Sequence, residues 1–222
     1  MKVDVRVYGL VDPQIGAGRS LAELARAAAD GGATLIQLRA KEQSTREMVR
    51  EAKAIHAALA GSNVPLLIND RVDVALASGA EGVHLGADDM ELADARRLLG
   101  PDAIIGATLK KAGELPYLAS APIDYACIGG VFGTVHKDNP DAPVGLDGLA
   151  RLRREAARVL GPIPIGAIAG INATNAASVI AAGAVGVAVI GALFAGTDTR
   201  AAARELRAIV DAALASDRAR PA

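Results

Sequence analysis

Short apolar runs recur along the whole chain, and stretches with helical spacing of apolar and polar positions lie between most of them. The runs fall at 5–11, 34–39, 65–69, 82–86, 103–108, 125–132, 163–169 and 186–191. Some are continuous, as in Pro65-Leu66-Leu67-Ile68, which suits strands buried on both faces of a parallel sheet. The intervening stretches predict helices over 20–30, 45–60, 71–78, 89–99, 147–159, 173–182 and 199–215. Many of them stop at glycine: Gly31-Gly32, Gly61, Gly79, Gly100 and Gly183. Glycine just past the last turn can take the left-handed conformation that closes a helix.

One transition repeats almost verbatim. Ala29-Asp-Gly-Gly-Ala-Thr-Leu-Ile36, Ala77-Ser-Gly-Ala-Glu-Gly-Val-His84 and Ala181-Ala-Gly-Ala-Val-Gly-Val-Ala188 each pass from helix through a glycine turn into a strand. Eight such units at about 28 residues each predict an α/β chain folded as one (β/α)8 barrel over residues 1–222. An open doubly wound sheet is the runner-up, but it rarely needs eight strands, and no Gly-x-Gly-x-x-Gly opens the first helix. The last residues, from about 216, read as a frayed tail.

Composition narrows the class. The chain has 222 residues, is 51% hydrophobic and 22% charged, and so can bury a large core. Net charge is −1, and the five aromatics are too few for base-stacking platforms, so nucleic acid is not an expected partner. No run approaches a membrane span and no apolar leader opens the chain, which predicts a soluble, cytoplasmic protein. The single cysteine, Cys127, sits in an apolar run and reads as core. It can form no disulfide within the chain. The oligomeric state is not legible.

In a barrel, chemistry sits where the strands end. The second strand ends in Gln37-Leu38-Arg39-Ala40-Lys41, the third in Asn69-Asp70 and the fourth in His84-Leu85-Gly86-Ala87-Asp88-Asp89. The fifth ends in Gly106-Ala107-Thr108, and the sixth runs into Gly129-Gly130 and then Thr134-Val135-His136-Lys137. The seventh ends in Ala169-Gly170-Ile171-Asn172 and the eighth in Ile190-Gly191. Only six lysines exist, and two of them, Lys41 and Lys137, fall on this rim. Loops 7 and 8 of a barrel are a common phosphate cradle. Arg39, Lys41 and Lys137 add charge for a second, larger anion. Asp70 and Asp89 come from neighbouring strands and can share a Mg2+ ion. The set predicts phosphorylated small-molecule substrates, a diphosphate among them.

Each signal also has a plainer reading. Asp88 followed by Glu91 makes a capping box for the next helix. Asn69-Asp70 can be a turn and a helix cap. His84 can be a satisfied core histidine, Thr108 an ordinary strand residue, and Gly170 and Gly191 can serve close packing alone. The functional reading rests on their convergence at one face.

As an ordered set, these rim motifs resemble the thiamine-phosphate synthase family. The likeness spans about residues 5–212. It is carried by Gln37-Leu-Arg-Ala-Lys41, Ile68-Asn69-Asp70, His84-Leu-Gly-Ala-Asp-Asp89, Gly106-Ala-Thr108, Thr134-Val-His-Lys137 with Val144-Gly-Leu146, Ala169-Gly-Ile-Asn172 and Val189-Ile-Gly191. The resemblance implies condensation of 4-amino-5-hydroxymethyl-2-methylpyrimidine diphosphate with 4-methyl-5-(2-phosphoethyl)thiazole. The products are thiamine phosphate and pyrophosphate. It implies that Gln37, Leu38, Arg39, Ala40, Lys41, Asn69, Thr108 and Lys137 bind the pyrimidine diphosphate. It further implies that Lys137, Arg39 and Thr108 are the catalytic residues and that Asp70 and Asp89 hold Mg2+, with Asp89 favoured over Asp88 by alignment of the motif. Thr134, Val135, His136, Gly170, Ile190 and Gly191 bind the thiazole phosphate.

Four positions depart from the pattern: Ala40 stands for a Glu, Thr108 for a Ser, His136 for a Thr or Ser, and Gly130 for a Pro. Two other readings remain. A thiazole tautomerase shares the barrel but places a His at the end of the fifth strand, where Leu109-Lys110 stand here. A non-catalytic barrel that senses a thiamine precursor needs no leaving-group site.

Overall fold

The computed structural model describes residues 3–16, 18–134 and 142–218. Eight parallel strands close into one barrel in sequence order: β1 Val7–Val11, β2 Leu35–Leu38, β3 Leu66–Asn69, β4 Gly82–Leu85, β5 Ile104–Leu109, β6 Tyr125–Ile128, β7 Ile165–Ile168 and β8 Val187–Val189. The last strand pairs with the first, with Val7 beside Val187 and Gly9 beside Val189. This is the expected (β/α)8 architecture. The helices are α1 Leu21–Gly31, α2 Thr45–Leu59, α3 Val72–Ser78, α4 Leu92–Leu99, α5 Leu115–Leu118, α6 Gly145–Leu160, α7 Ala176–Ala181, α8 Gly191–Phe194 and α9 Thr199–Arg218. No described helix is long and apolar enough to cross a membrane.

Strand alternation separates two cores. Outward positions such as Val7, Ile36, Leu38, Ile68 and Val83 pack under the helices. Inward positions such as Tyr8, Leu10, Leu35, Leu67, Ile104, Tyr125 and Cys127 fill the barrel. Val3 and Val5 join this inner cluster from the chain ahead of β1. Buried strands on both faces explain why the sequence shows continuous apolar runs rather than alternation.

Local chemistry fixes the helix starts. Ser20 caps α1 by accepting from the Glu23 amide. Ser44 and Glu47 cap α2 reciprocally, as a capping box should. The Asp88 box does not form: α4 begins at Leu92, its N-cap is Glu91, and no side chain caps it. Nor does Asp70 cap α3, whose N-cap is Arg71, without a side-chain bond. Strand β6 ends at Ile128, short of the expected residue 132, because Gly130 turns the chain at φ +68°. Three short elements lie outside the expected helices: the 3-10 turn at 112–114, α5 at 115–118 and α8 after β8. The helix α9 reaches Arg218, and residues 219–222, which hold the end of the expected tail, lie outside the described residues.

Candidate active site

Two cavities open at the strand ends. One, of about 620 Å3, enters the barrel mouth and is lined by Tyr8, Gln37, Cys127, Ile168 and the loops after β6, β7 and β8. The other, of about 950 Å3, lies over β2 to β5 and is lined by Lys41, Asp70, Asp88, Asp89, Lys111 and Arg151 among others. Arg39, Asn69, His84, Thr108 and Lys110 line both, so they form the wall where the two spaces meet.

The charged end is built from β1 to β4. Arg39 follows β2, and its Nη1 lies 2.5 Å from Asp12 Oδ2. Both side chains are largely shielded, at 13% and 5% exposure, so the guanidinium is held in one pose. Asp12 follows β1 and also accepts from the Gln14 amide. The Lys41 ammonium lies 3.0 Å from Asp70 Oδ2. Asp70 takes φ +64°, a conformation Asp tolerates better than most residues, and its amide donates to the His84 carbonyl. Asp89 turns back so that Oδ2 accepts from the Gly86 amide at 2.6 Å. The Asp70 carboxylate is near enough to Asp89 to act on its charge. Burial first, then the Asp70 carboxylate, hold Asp89 above the usual carboxylate range, against the opposing pull of the Gly86 amide and Lys41. Asp88 is exposed, and Asp89 is the member of the pair that faces Asp70.

Two adjacent carboxylates repel unless a proton or a cation sits with them. Among the described residues no cluster of three or more His, Cys, Asp or Glu could hold a metal. A pair of carboxylates facing a roomy cavity suits Mg2+, which keeps waters and takes substrate phosphate oxygens as its other ligands. The donor set therefore fits that ion.

The other end is backbone-rich. Ala169 has φ +94° and Gly170 φ +65°, so β7 breaks sharply outward. A Cβ on Gly170 would lie 2.4 Å from the Gly133 carbonyl oxygen, so this glycine is required by both backbone and space. Asn175 Nδ2 donates to the Gly170 carbonyl at 2.9 Å and pins the turn. The opening amides of α8, at Gly191 and Ala192, face no earlier helical carbonyl, as at any helix start. Thr134, Gly170, Ile190 and Gly191 line this same cavity.

The structure thus brings Gln37, Arg39, Lys41, Asn69, Asp70, Asp89, Thr108, Thr134, Gly170, Ile190 and Gly191 to one end of the barrel. Leu38 and Ala40 differ: both are buried in the outer core beneath the helices and line neither cavity. Strand alternation turns them outward, leaving only their backbone near the site. Val135, His136 and Lys137 lie outside the described residues. Reading the rim from β2 onward missed Asp12, although it falls two residues after inward-facing Leu10. Tyr8 and Tyr125 were missed because they lie a layer below the strand ends. Cys127 is buried and its thiol is pushed up to about 12 by burial alone, which fits packing rather than nucleophilic chemistry.

Comparison with known proteins agrees with this geometry. The model of the family described as thiamine monophosphate synthase matches residues 7–193. The chain is 54% identical to a thiamine-phosphate synthase of Agrobacterium fabrum strain C58, over 96% of this chain and 97% of that protein. It is 45% identical to one from Chloroflexus aurantiacus, over 94% of each. The solved structure of a thiamine phosphate pyrophosphorylase from Pyrococcus furiosus is similar, with a TM-score of 0.82 and 36% identity, covering 96% of this chain and 98% of that one.

Proposed function

Because the chain belongs to the thiamine monophosphate synthase family, we propose that it joins 4-amino-5-hydroxymethyl-2-methylpyrimidine diphosphate to 4-methyl-5-(2-phosphoethyl)thiazole, giving thiamine phosphate and pyrophosphate. The observation that carries this reading is the shared wall between the two cavities. A charged space and a backbone-lined space meet at Arg39, Asn69 and Thr108, as a reaction between two anionic substrates requires.

In this reading the diphosphate lies over Arg39, Lys41 and Asn69, and Lys137 is assigned to it by the family motif alone. Asp12 holds the Arg39 fork in place. Asp70 and Asp89 would hold Mg2+, which when bound supplies charge neutralisation for the departing diphosphate. Bond breaking at the pyrimidine methylene leaves a delocalised cation, and the thiazole nitrogen then attacks the same carbon. Such a substitution needs stabilised charge on the leaving group more than a strong base. Arg39, Lys41 and Lys137 provide it, and no activated nucleophile is required. Thr108 and Gln37 orient the pyrimidine ring. Thr134, Gly170, Ile190 and Gly191 place the thiazole phosphate, and the family motif assigns Val135 and His136 to the same ligand. The Leu38 and Ala40 contribution is confined to backbone.

The two spaces make separable predictions. Lys41→Ala should raise KM for the pyrimidine diphosphate, or lower kcat, by about tenfold or more, with KM for the thiazole phosphate within about twofold. Gly170→Ala should do the reverse. Equal effects of both variants on both substrates would contradict the division.

A further inference from the structure

Below the rim, five side chains form one hydrogen-bonded chain across the barrel. Gln37 Nε2 donates to the Tyr8 hydroxyl. The Tyr8 and Tyr125 hydroxyl oxygens lie 2.9 Å apart. Tyr125 Oη is 2.8 Å from His84 Nδ1, and His84 Nε2 is 2.8 Å from Thr108 Oγ1. Tyr8, Tyr125 and Gln37 are at most 1% exposed. The two phenols meet edge to face, with ring centroids 5.8 Å apart. Gly106 makes the crossing possible, because a Cβ there would lie 2.0 Å from Tyr125 Cζ. Burial pushes both phenols well up, so both hydroxyls keep their hydrogens.

With Gln37 donating from Nε2, a count of hydrogens gives the chain a direction. A neutral imidazole has one donor and one acceptor, and a hydroxyl has one hydrogen that rotates to suit its neighbours. Tyr8 already receives a hydrogen from Gln37. Were Tyr125 to donate to it as well, the Tyr8 hydrogen would have no acceptor in the chain. With Tyr8 donating to Tyr125, every link is filled. Tyr125 then donates to His84 Nδ1, and His84 donates from Nε2 to Thr108. The Thr108 hydrogen is left to point into the cavity. At the opposite end Gln37 Oε1 is buried and has no partner among the described residues, although Gln37 lines that cavity. A buried acceptor without a donor is costly, so a ligand N–H fits there.

We propose that Tyr8, Tyr125 and His84 act as a positioning relay that fixes Gln37 as an acceptor and Thr108 as a donor, and so selects a heterocycle bearing an exocyclic N–H beside a ring lone pair. The selection rests on the reading given above, in which an aminopyrimidine occupies this cavity. None of the three relay residues is a catalytic residue. They act by removing the freedom of the Gln37 amide and the Thr108 hydroxyl to turn over.

Two measurements test the relay without depending on turnover. The first is the side-chain 15N spectrum of His84, assigned by its loss in His84→Gln. The relay places the hydrogen on Nε2 in the ligand-free protein. A hydrogen on Nδ1 would overturn the assignment. The second is calorimetric binding, without the thiazole phosphate, of the aminopyrimidine diphosphate and of its analogue with oxygen in place of the exocyclic amine. Wild type should prefer the amine by about a hundredfold or more, since a site built to pair a polar group rejects the analogue that leaves it unpaired. Tyr125→Phe keeps the ring and cuts the chain, so that Gln37 can turn over. The preference should then fall by about tenfold while the melting transition stays cooperative. Equal weakening for both ligands would make the phenol merely structural, and a wild-type preference for the oxygen analogue would mean the opposite polarity. A preserved preference with no turnover on both precursors would instead sink the proposed reaction and leave the relay standing.

Discussion

At the scale of single residues, the site is held by pairs whose halves depend on each other. Asp12 and Arg39 are shielded together, so removing one strands the other. Asp12→Ala should cost about 1–3 kcal/mol of stability, seen in urea titration, and should also raise KM for the pyrimidine diphosphate. Asp70 occupies φ +64°, which Asn also tolerates. Asp70→Asn therefore removes charge without adding backbone strain. Turnover should drop by about a hundredfold or more with the unfolding midpoint nearly unchanged. Loss of both together would mean that Asp70 serves the fold instead. Cys127 offers a check on the opposite kind of residue. With its thiol pushed up to about 12 by burial, the thiolate is scarce at ordinary pH and grows only as pH rises toward that value. Native protein at pH 8 should resist thiol reagents, and the unfolded chain should react at once.

At the scale of elements, β7 and the turn after it carry the greatest backbone demand. Gly170→Ala adds a Cβ at 2.4 Å from the Gly133 carbonyl oxygen, so the turn must move as a unit. All eight strands were legible in the sequence, because burial on both faces leaves an unbroken apolar signature. Their ends were legible to within a few residues. The error at β6 came from Gly129-Gly130, where the apolar run continues through a turn that Gly130 makes by positive φ. The short α5 and α8 carry too few residues to show a helical period. The acidic pair was open at the sequence level, since Asp88 and Asp70 sit where caps also sit. Only the start of α4 at Leu92 and the inward turn of Asp89 separate the two readings. The inner relay was invisible for a different reason: Tyr8, His84 and Tyr125 are scattered over 117 positions and meet only when the barrel closes.

At the scale of the whole molecule, closure of the barrel brings the ends of β1 to β8 into one mouth and creates a site that no local segment possesses. A ligand that bridges several strand ends should therefore stabilise the entire fold. Pyrophosphate at a hundred times its dissociation constant adds about 2.7 kcal/mol, which raises the melting temperature of a chain this size by about 5–10 °C. The rise should appear with Mg2+ present and shrink sharply with chelator, and Asp70→Asn should abolish the difference. The central claim is the condensation itself. It is tested most directly by incubating the protein with both precursors and Mg2+ and counting thiamine phosphate and pyrophosphate in the same sample. The account predicts the two products in one-to-one ratio, no product when either precursor is left out, and loss of both in excess chelator. Pyrophosphate released without thiamine phosphate, or full turnover in chelator, would contradict it.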